Sequence, residues 1–387
     1  MSAPSSPDQQ TMDGAPGPAR RLAALAVAAG FFVAAAEMVF MSSPFAAYFY
    51  GVYSPLLRLV GDTPHLAWLT EFWVSHVYAP NPILGAVPWV GTALAGAGFV
   101  SFLVHAIYLY RVKFGRKTIG DRLLYVRVRH PQYAGLIVAG VGLALLWPRF
   151  LNLFMLLAMS AAYALLARWE EKRMALAFGD AYCNFAAGKA MFLPGDPGGR
   201  LARRLLGWLP AGAPRTIGGF VVTAAAAIGA ALLIRAGSLH SLRVVEVPGE
   251  PRAIIVAYAD AFPEDAASAL ATIARGGSEG RDLRMLFVMK KKKTLEHLLG
   301  DSGVRRDVRK QLALPEADLY VVRAVVRPAA GDIGRRMAGD ASWAYRLSAH
   351  RVLDGVFTVA LGNEGAPITE IPLPAGASYP HARVPLL

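Results

Sequence analysis

"RVRHPQYAG", residues Arg127 to Gly135, closes a basic run and opens an apolar one. Behind it, residues 111 to 129 hold seven Lys/Arg against one Asp. Ahead, Tyr133 to Trp147 and Leu151 to Ala167 are apolar, separated only by the turn "PRFL" at 148 to 151. Two apolar stretches joined so tightly predict a helical hairpin through a membrane. The first arm is short, so it reaches back to Arg129 or sits in a thinned bilayer. Arginine, histidine and tyrosine at the mouth of such a hairpin are either interfacial anchors or half of a polar site. The residues at its other end decide between the two.

Composition favours the membrane. Of 387 residues, 55% are hydrophobic and 17% charged, where soluble domains carry roughly 25% charged residues. Net charge is +13, with 20 Lys/Arg against 10 Asp/Glu up to residue 236 and 20 against 17 beyond it. The basic excess therefore lies in the apolar half. That is the pattern of loops facing an anionic cytoplasmic leaflet, not of a nucleic-acid stripe. A single cysteine, Cys183, excludes an intramolecular disulfide framework and a cysteine-rich metal site, and no metal is expected.

Working outward, residues 1 to 19 are Pro/Ser/Gly-rich and expected to be disordered. Arg20 and Arg21 precede a first span from Leu22 to about Met41, and a second runs from about Ile83 to Tyr110. Between them, "PFAAYFYGVYSPLL" and "HLAWLTEFWVSHVY" read as interfacial or re-entrant pieces with aromatics at headgroup depth. A last span covers about Ile217 to Ile234. The basic loops 111 to 129 and 168 to 215 belong on one side, which sends residues 237 to 387 to the other. A bacterial inner membrane with a periplasmic C-terminal domain fits this topology.

Residues 237 to 387 have soluble character. "LRVVEV", "AIIVAYA", "RMLFVM", "LYVVRAVV" and "VFTVAL" read as strands, "EDAASALATIA" and "TLEHLLGDSGVRRDVRKQLA" as amphipathic helices. The fold class is thus an all-α polytopic membrane bundle of about five spans, residues 20 to 236, followed by a soluble α/β or α+β domain. That domain carries no nucleotide-binding glycine pattern, triad or metal cluster. The run "KKKK" at 290 to 293 reads as a solvated turn.

A hairpin brings its ends together, so Arg129, His130 and Tyr133 should meet Arg168, Glu170 and Glu171 of "RWEEKRMALAFGDAYCNFAAGKAMFLP". Convergent polar groups at the edge of an apolar bundle make a pocket for a polar ligand. "RHPQYAG", a hairpin, "EE", "FGDAY" and a closing "FLP", in that order, resemble the integral-membrane methyltransferases of the isoprenylcysteine carboxyl methyltransferase and phosphatidylethanolamine methyltransferase type. The likeness covers roughly residues 115 to 195. It departs from the family in keeping only Tyr125 of a Gly-Pro-Tyr, and in having Phe185 and Met191 where a tyrosine and a basic residue are usual.

The resemblance implies S-adenosylmethionine in a cytosol-facing pocket and a lipid or lipid-linked acceptor arriving from the bilayer. Arg129 and His130 would hold the cofactor carboxylate, and Glu171 its hydroxyls or ammonium. Tyr133 and Tyr182 would contact the adenosine side, and Gly135 would let the cofactor approach the helix closely. Glu170, Glu171 and Arg168 are the catalytic candidates, a glutamate serving as base where the acceptor arrives protonated. A membrane reductase of the sterol-reductase kind, with a nicotinamide cofactor, is the rival enzyme. A bundle that only anchors the C-terminal domain is the non-catalytic rival. Glu37 in the first span reads as helix-end placement or a pairing partner, His105 as a satisfied hydrogen-bonder, and Asp180 as part of a turn.

Overall fold

The computed structural model describes residues 18–53, 55–63, 65–74, 82–115, 119–210, 213–240, 242–247, 249–258, 266–276, 283–301, 309–310, 312, 314–326, 351–362 and 367–372. Most of the stretch expected to be disordered, residues 1–17, lies outside them, as do 302–308 of the second soluble helix. The chain forms two compact units, Met1–Pro44 and Phe45–Leu387.

Helix α1 spans Pro18–Tyr53 and contains Pro44. The expected interfacial piece at 44–53 is instead a continuation of the first helix. Pro44 has no N–H to give the Phe40 carbonyl, and the Ser43 hydroxyl donates to that carbonyl at 2.9 Å. A freed backbone group in an apolar helix is thus satisfied locally. The short α2 follows at Pro55–Asp62, then a 3-10 turn at Ala67–Thr70. Next come α3 (Pro82–Gly115), a second 3-10 turn at Leu123–Val126, α4 (Pro131–Leu146) and α5 (Phe150–Phe178). Helices α6 (Asp180–Ala186), α7 (Pro197–Leu205) and α8 (Ala213–His240) complete the helical part.

Four segments, Ala28–Gly51, Gly85–Gly115, Phe150–Phe178 and Pro214–Leu239, are long and apolar enough to cross a membrane. Helix α4 is equally apolar but has 16 residues. It is held by α3 through a seam of small residues at matching i, i+4, i+7 positions. Gly91, Ala95 and Gly98 face Gly142, Ala139 and Gly135, running antiparallel. A methyl on Gly135 would lie 2.8 Å from the Gly98 carbonyl oxygen, and one on Gly142 2.5 Å from that of Gly91. Small residues let backbones pack where lipid gives helices no hydrophobic reason to associate.

The far end of the α4–α5 hairpin is capped by residues 70–74. Phe72 bridges to Arg149, the Trp73 N–H donates to the Pro148 carbonyl at 2.7 Å, and the Phe150 N–H to the Glu71 carbonyl at 3.0 Å. The Arg149 guanidinium sits 3.8 Å from the Phe72 ring centroid and donates to the Thr70 carbonyl. Arg235 of α8 pairs with the Glu71 carboxylate. Phe72 and Trp73 are 1% and 7% exposed, so these two of the aromatics read as headgroup anchors are packed inside protein, while Tyr50 and Trp68 stay exposed.

The C-terminal region is a six-stranded mixed sheet in sequential order: β1 (Leu242–Val247), β2 (Glu250–Tyr258), β3 (Leu283–Met289), β4 (Leu319–Val326), β5 (Arg351–Val359) and β6 (Ile368–Ile371). Only β2 and β3 are parallel, and helix α9 (Ala267–Arg275) makes the crossover between them that parallel strands require. Helix α10 (Lys292–Asp301) follows β3. Its first turn takes in Lys292 and Lys293, so the lysine run is half helix. Both sheet faces are covered: α9 packs on Ile255, Leu286 and Val321, and α10 on Val256, Phe287 and Val322. Two-sided burial explains why these strands read as continuous apolar runs. The buried Arg323 on β4 is satisfied by Asp354 at 2.7 Å and the Ile273 carbonyl at 2.8 Å. Phe72 belongs to the α10-side core, and the unit beginning at Phe45 runs past the bundle–domain junction expected at 236/237.

Candidate active site

Pro131 starts α4. Proline at a first helical position loses no hydrogen bond and is preset in φ, so the helix begins there and His130 is left as its N-cap. The residues just before it are tied to the segment after α6. Arg129 N–H donates to the Ala190 carbonyl at 2.9 Å and His130 N–H to the Met191 carbonyl at 3.1 Å. From α5 come Glu170 and Glu171, consecutive and therefore about 100° apart around the helix. They approach His130 from both sides.

His130 Nε2 lies 3.1 Å from Glu171 Oε1, and Nδ1 lies 3.5 Å from Glu170 Oε2. Arg129 Nε is also 3.1 Å from Glu171 Oε1. It is too poorly aligned for a hydrogen bond, so this contact is an ion pair. His130 is buried, while Arg129, Glu170 and Glu171 are partly exposed, so the buried imidazole is met by carboxylates that still reach solvent. Burial lowers the His130 pKa, but hydrogen bonds and charge from Glu170 and Glu171 outweigh it and raise the value above 6.5.

Behind the cluster stands an aromatic column. Tyr133 donates to Glu170 Oε1 at 2.5 Å, and its ring stacks on His130 at 5.6 Å and on Tyr163 at 5.0 Å. Tyr163 accepts the Phe45 N–H at 3.2 Å. Tyr133 is fully buried, so it positions His130 and Glu170 rather than facing a ligand. Tyr125 donates to buried Gln132 at 3.0 Å, and Lys189 donates to the Tyr125 carbonyl at 2.9 Å. His105 is satisfied by the Ser101 carbonyl at 2.6 Å on Nδ1 and the Leu124 N–H at 3.4 Å on Nε2, two partners that fix its tautomer.

On the other side of Glu171 an open groove of about 650 Å³ runs between α5 and α6. Leu165, Trp169, Ala175 and Ala186 give it an apolar lining; Arg168, Glu171, Lys172, Tyr182 and Cys183 supply polar atoms. Helix α6 is set beside α5 by Gly179, whose φ of 52° is open to glycine and strained for other residues. Asp180 is the first residue of α6 rather than a free turn. Burial, and then the Glu171 charge, push the Tyr182 phenol up to about 12, so it stays a donor. Among the described residues no cluster suits a metal ion.

The structure thus brings Arg129, His130, Tyr133, Glu170 and Glu171 together. Tyr182 joins them through the groove. Arg168 lies apart from the ion cluster; it lines the groove and donates to Thr216 of α8 at 2.7 Å. Gly135 faces α3, not a ligand, because the α3 backbone fills the space its missing side chain leaves. Arg129 and His130 are engaged by Glu171, so the open cations on the groove are Arg168 and Lys172. Trp169, Lys172 and Ala186 were missed as lining residues; Trp169 and Lys172 directly flank "EE", and Ala186 lies one turn beyond "FGDAY". No family description, curated protein or solved structure matches the chain.

Proposed function

We propose that the chain is an integral-membrane methyltransferase that uses S-adenosylmethionine to methylate a lipid or lipid-linked acceptor. One observation carries this reading: Glu171 belongs both to the ion cluster with Arg129 and His130 and to the open groove, so a carboxylate held by two partners faces a ligand-sized space. The groove's chemistry suits the cofactor. Glu171 accepts hydrogen bonds from ribose hydroxyls or the ammonium, Arg168 and Lys172 match the carboxylate, and Trp169 offers a face for the adenine. The motif order from "RHPQYAG" to "FLP" points to the same chemistry.

When bound, the cofactor supplies a methyl group already activated on a sulfonium, so the protein's work is alignment and exclusion of water. His130 and Arg129 fix the Glu171 carboxylate, Tyr133 and His130 fix Glu170, and the apolar lining offers a bed for the non-polar parts of the cofactor. Glu171 is the base where the acceptor is protonated, because it is the glutamate that lines the groove. Helix α4 is the fifth span in this reading. The basic loops face the cytoplasm of a bacterial inner membrane, and the sheet domain lies in the periplasm.

The test is transfer of isotope-labelled methyl groups by protein reconstituted with a total lipid extract. Label in the lipid fraction, absent with Glu171→Gln, supports the proposal. No transfer, together with saturable binding of a reduced nicotinamide cofactor, replaces it with the reductase reading.

A further inference from the structure

Helix α7 has three faces. Asp196 opens it, its Oδ1 accepting the Gly199 N–H at 3.1 Å. One face carries Arg200, Arg203 and Arg204, all exposed. A second carries Leu201 and Leu205, 54% and 51% exposed, continued by Trp208 at 78%. Leu201 and Leu205 fall at i and i+4 on one side of the helix, and Trp208 follows in the turn beyond it. The third side is occupied: Leu206 and Leu209, just beyond α7, lie against Gly218 of α8. Arg215 locks this turn by donating to the Leu209 carbonyl at 2.7 Å and the Gly207 carbonyl at 3.2 Å. The membrane-length segment of α8 begins at Pro214, and its Ile217 is 64% exposed.

A short helix is therefore fixed at the foot of a membrane-length helix, with an uncovered apolar stripe beside a triple-arginine face. We propose that α7 is an in-plane anchor for an anionic bilayer surface, with Leu201, Leu205 and Trp208 among the acyl chains and Arg200, Arg203 and Arg204 at lipid phosphates. Three observations select lipid as the occupant. The helix is tied to the start of α8 through Leu206, Leu209 and Arg215, which holds it near the level where α8 enters the bilayer. Its charge complements anionic headgroups, and among the described residues Asp196, 3.3 Å from Arg203, is the carboxylate paired with it. An aromatic beside basic residues at this depth suits the headgroup layer. The anchor also steadies the candidate site, because the chain between α6 and α7 carries the carbonyls that bind the Arg129 and His130 N–H groups.

The test uses the full chain in nanodiscs, in a Cys183→Ser background, with a spin label on Leu201→Cys or Arg203→Cys. The 201 label should collide with oxygen and be shielded from a water-soluble nickel complex, with the 203 label reversed. Separately, Arg200→Gln/Arg203→Gln/Arg204→Gln should lower the protein's preference for phosphatidylglycerol over phosphatidylcholine about 100-fold, at roughly 1 kcal/mol per arginine. Equal water access at 201 and 203, as a soluble-protein docking face would give, overturns the proposal. So does an unchanged lipid preference in the triple variant.

Discussion

Nε2 of His130 and Oε1 of Glu171 lie 3.1 Å apart across 41 residues of sequence. The α4–α5 hairpin returns the chain to its starting level, and the contact closes the hairpin at its basic end. Because His130 also faces Glu170, its protonated form is the one the fold binds.

This sets a pH dependence. The folded pKa of His130 is raised above its ordinary 6.5: burial opposes the shift, and the two glutamates overcome it. Its stabilising contribution is therefore full below pH 6.5 and is lost as pH rises through the raised folded value. Thermal unfolding in detergent should show a loss of stability as pH rises above 6.5 that His130→Gln lacks. Parallel pH profiles for the two proteins would remove this role for His130.

The small-residue seam gives a steric prediction. Gly98→Ala and Gly142→Ala should each destabilise the bundle by about 1–3 kcal/mol, the usual cost of overpacking. Gly96→Ala, on the same helix with nothing within 4 Å of a new methyl, is the control and should be near neutral. If unfolding midpoints order the three otherwise, α3 and α4 do not meet through this seam.

The other end of the hairpin yields a charge prediction. Arg235 and Glu71 form a pair with side chains 15% and 11% exposed. Arg235→Met leaves the Glu71 carboxylate buried, at a cost of about 3–5 kcal/mol. The double variant Arg235→Met/Glu71→Met should recover much of that loss. A double variant as unstable as the sum of the singles would show the two side chains to be uncoupled.

Much of this was legible in the sequence. Charge asymmetry and apolar runs located the helices, and the hairpin argument alone brought His130 to Glu171. The strands at "AIIVAYA" and "LYVVRAVV" were visible because burial on both faces leaves an unbroken apolar run. What was missed depended on partners far along the chain. Gly135 read as room for a ligand because its real neighbours, Gly98 and Phe102, lie on another helix. "TEFW" read as interfacial because nothing local announces that Glu71 will find Arg235 or that Phe72 will join the sheet's core. Pro44 suggested an end to the first helix, and only the Ser43 hydroxyl on the Phe40 carbonyl explains its continuation.

The most direct test is calorimetric titration of S-adenosylmethionine into the detergent-solubilised full chain, with Glu171→Gln alongside. Glu171→Gln keeps the side chain's shape and removes its charge, so the proposed role predicts micromolar binding to the wild type and binding roughly 10- to 100-fold weaker in the variant. A folded wild type that takes up no S-adenosylmethionine, or a variant that binds it equally well, would contradict the proposal and leave Arg129 and His130 as structural partners of Glu171.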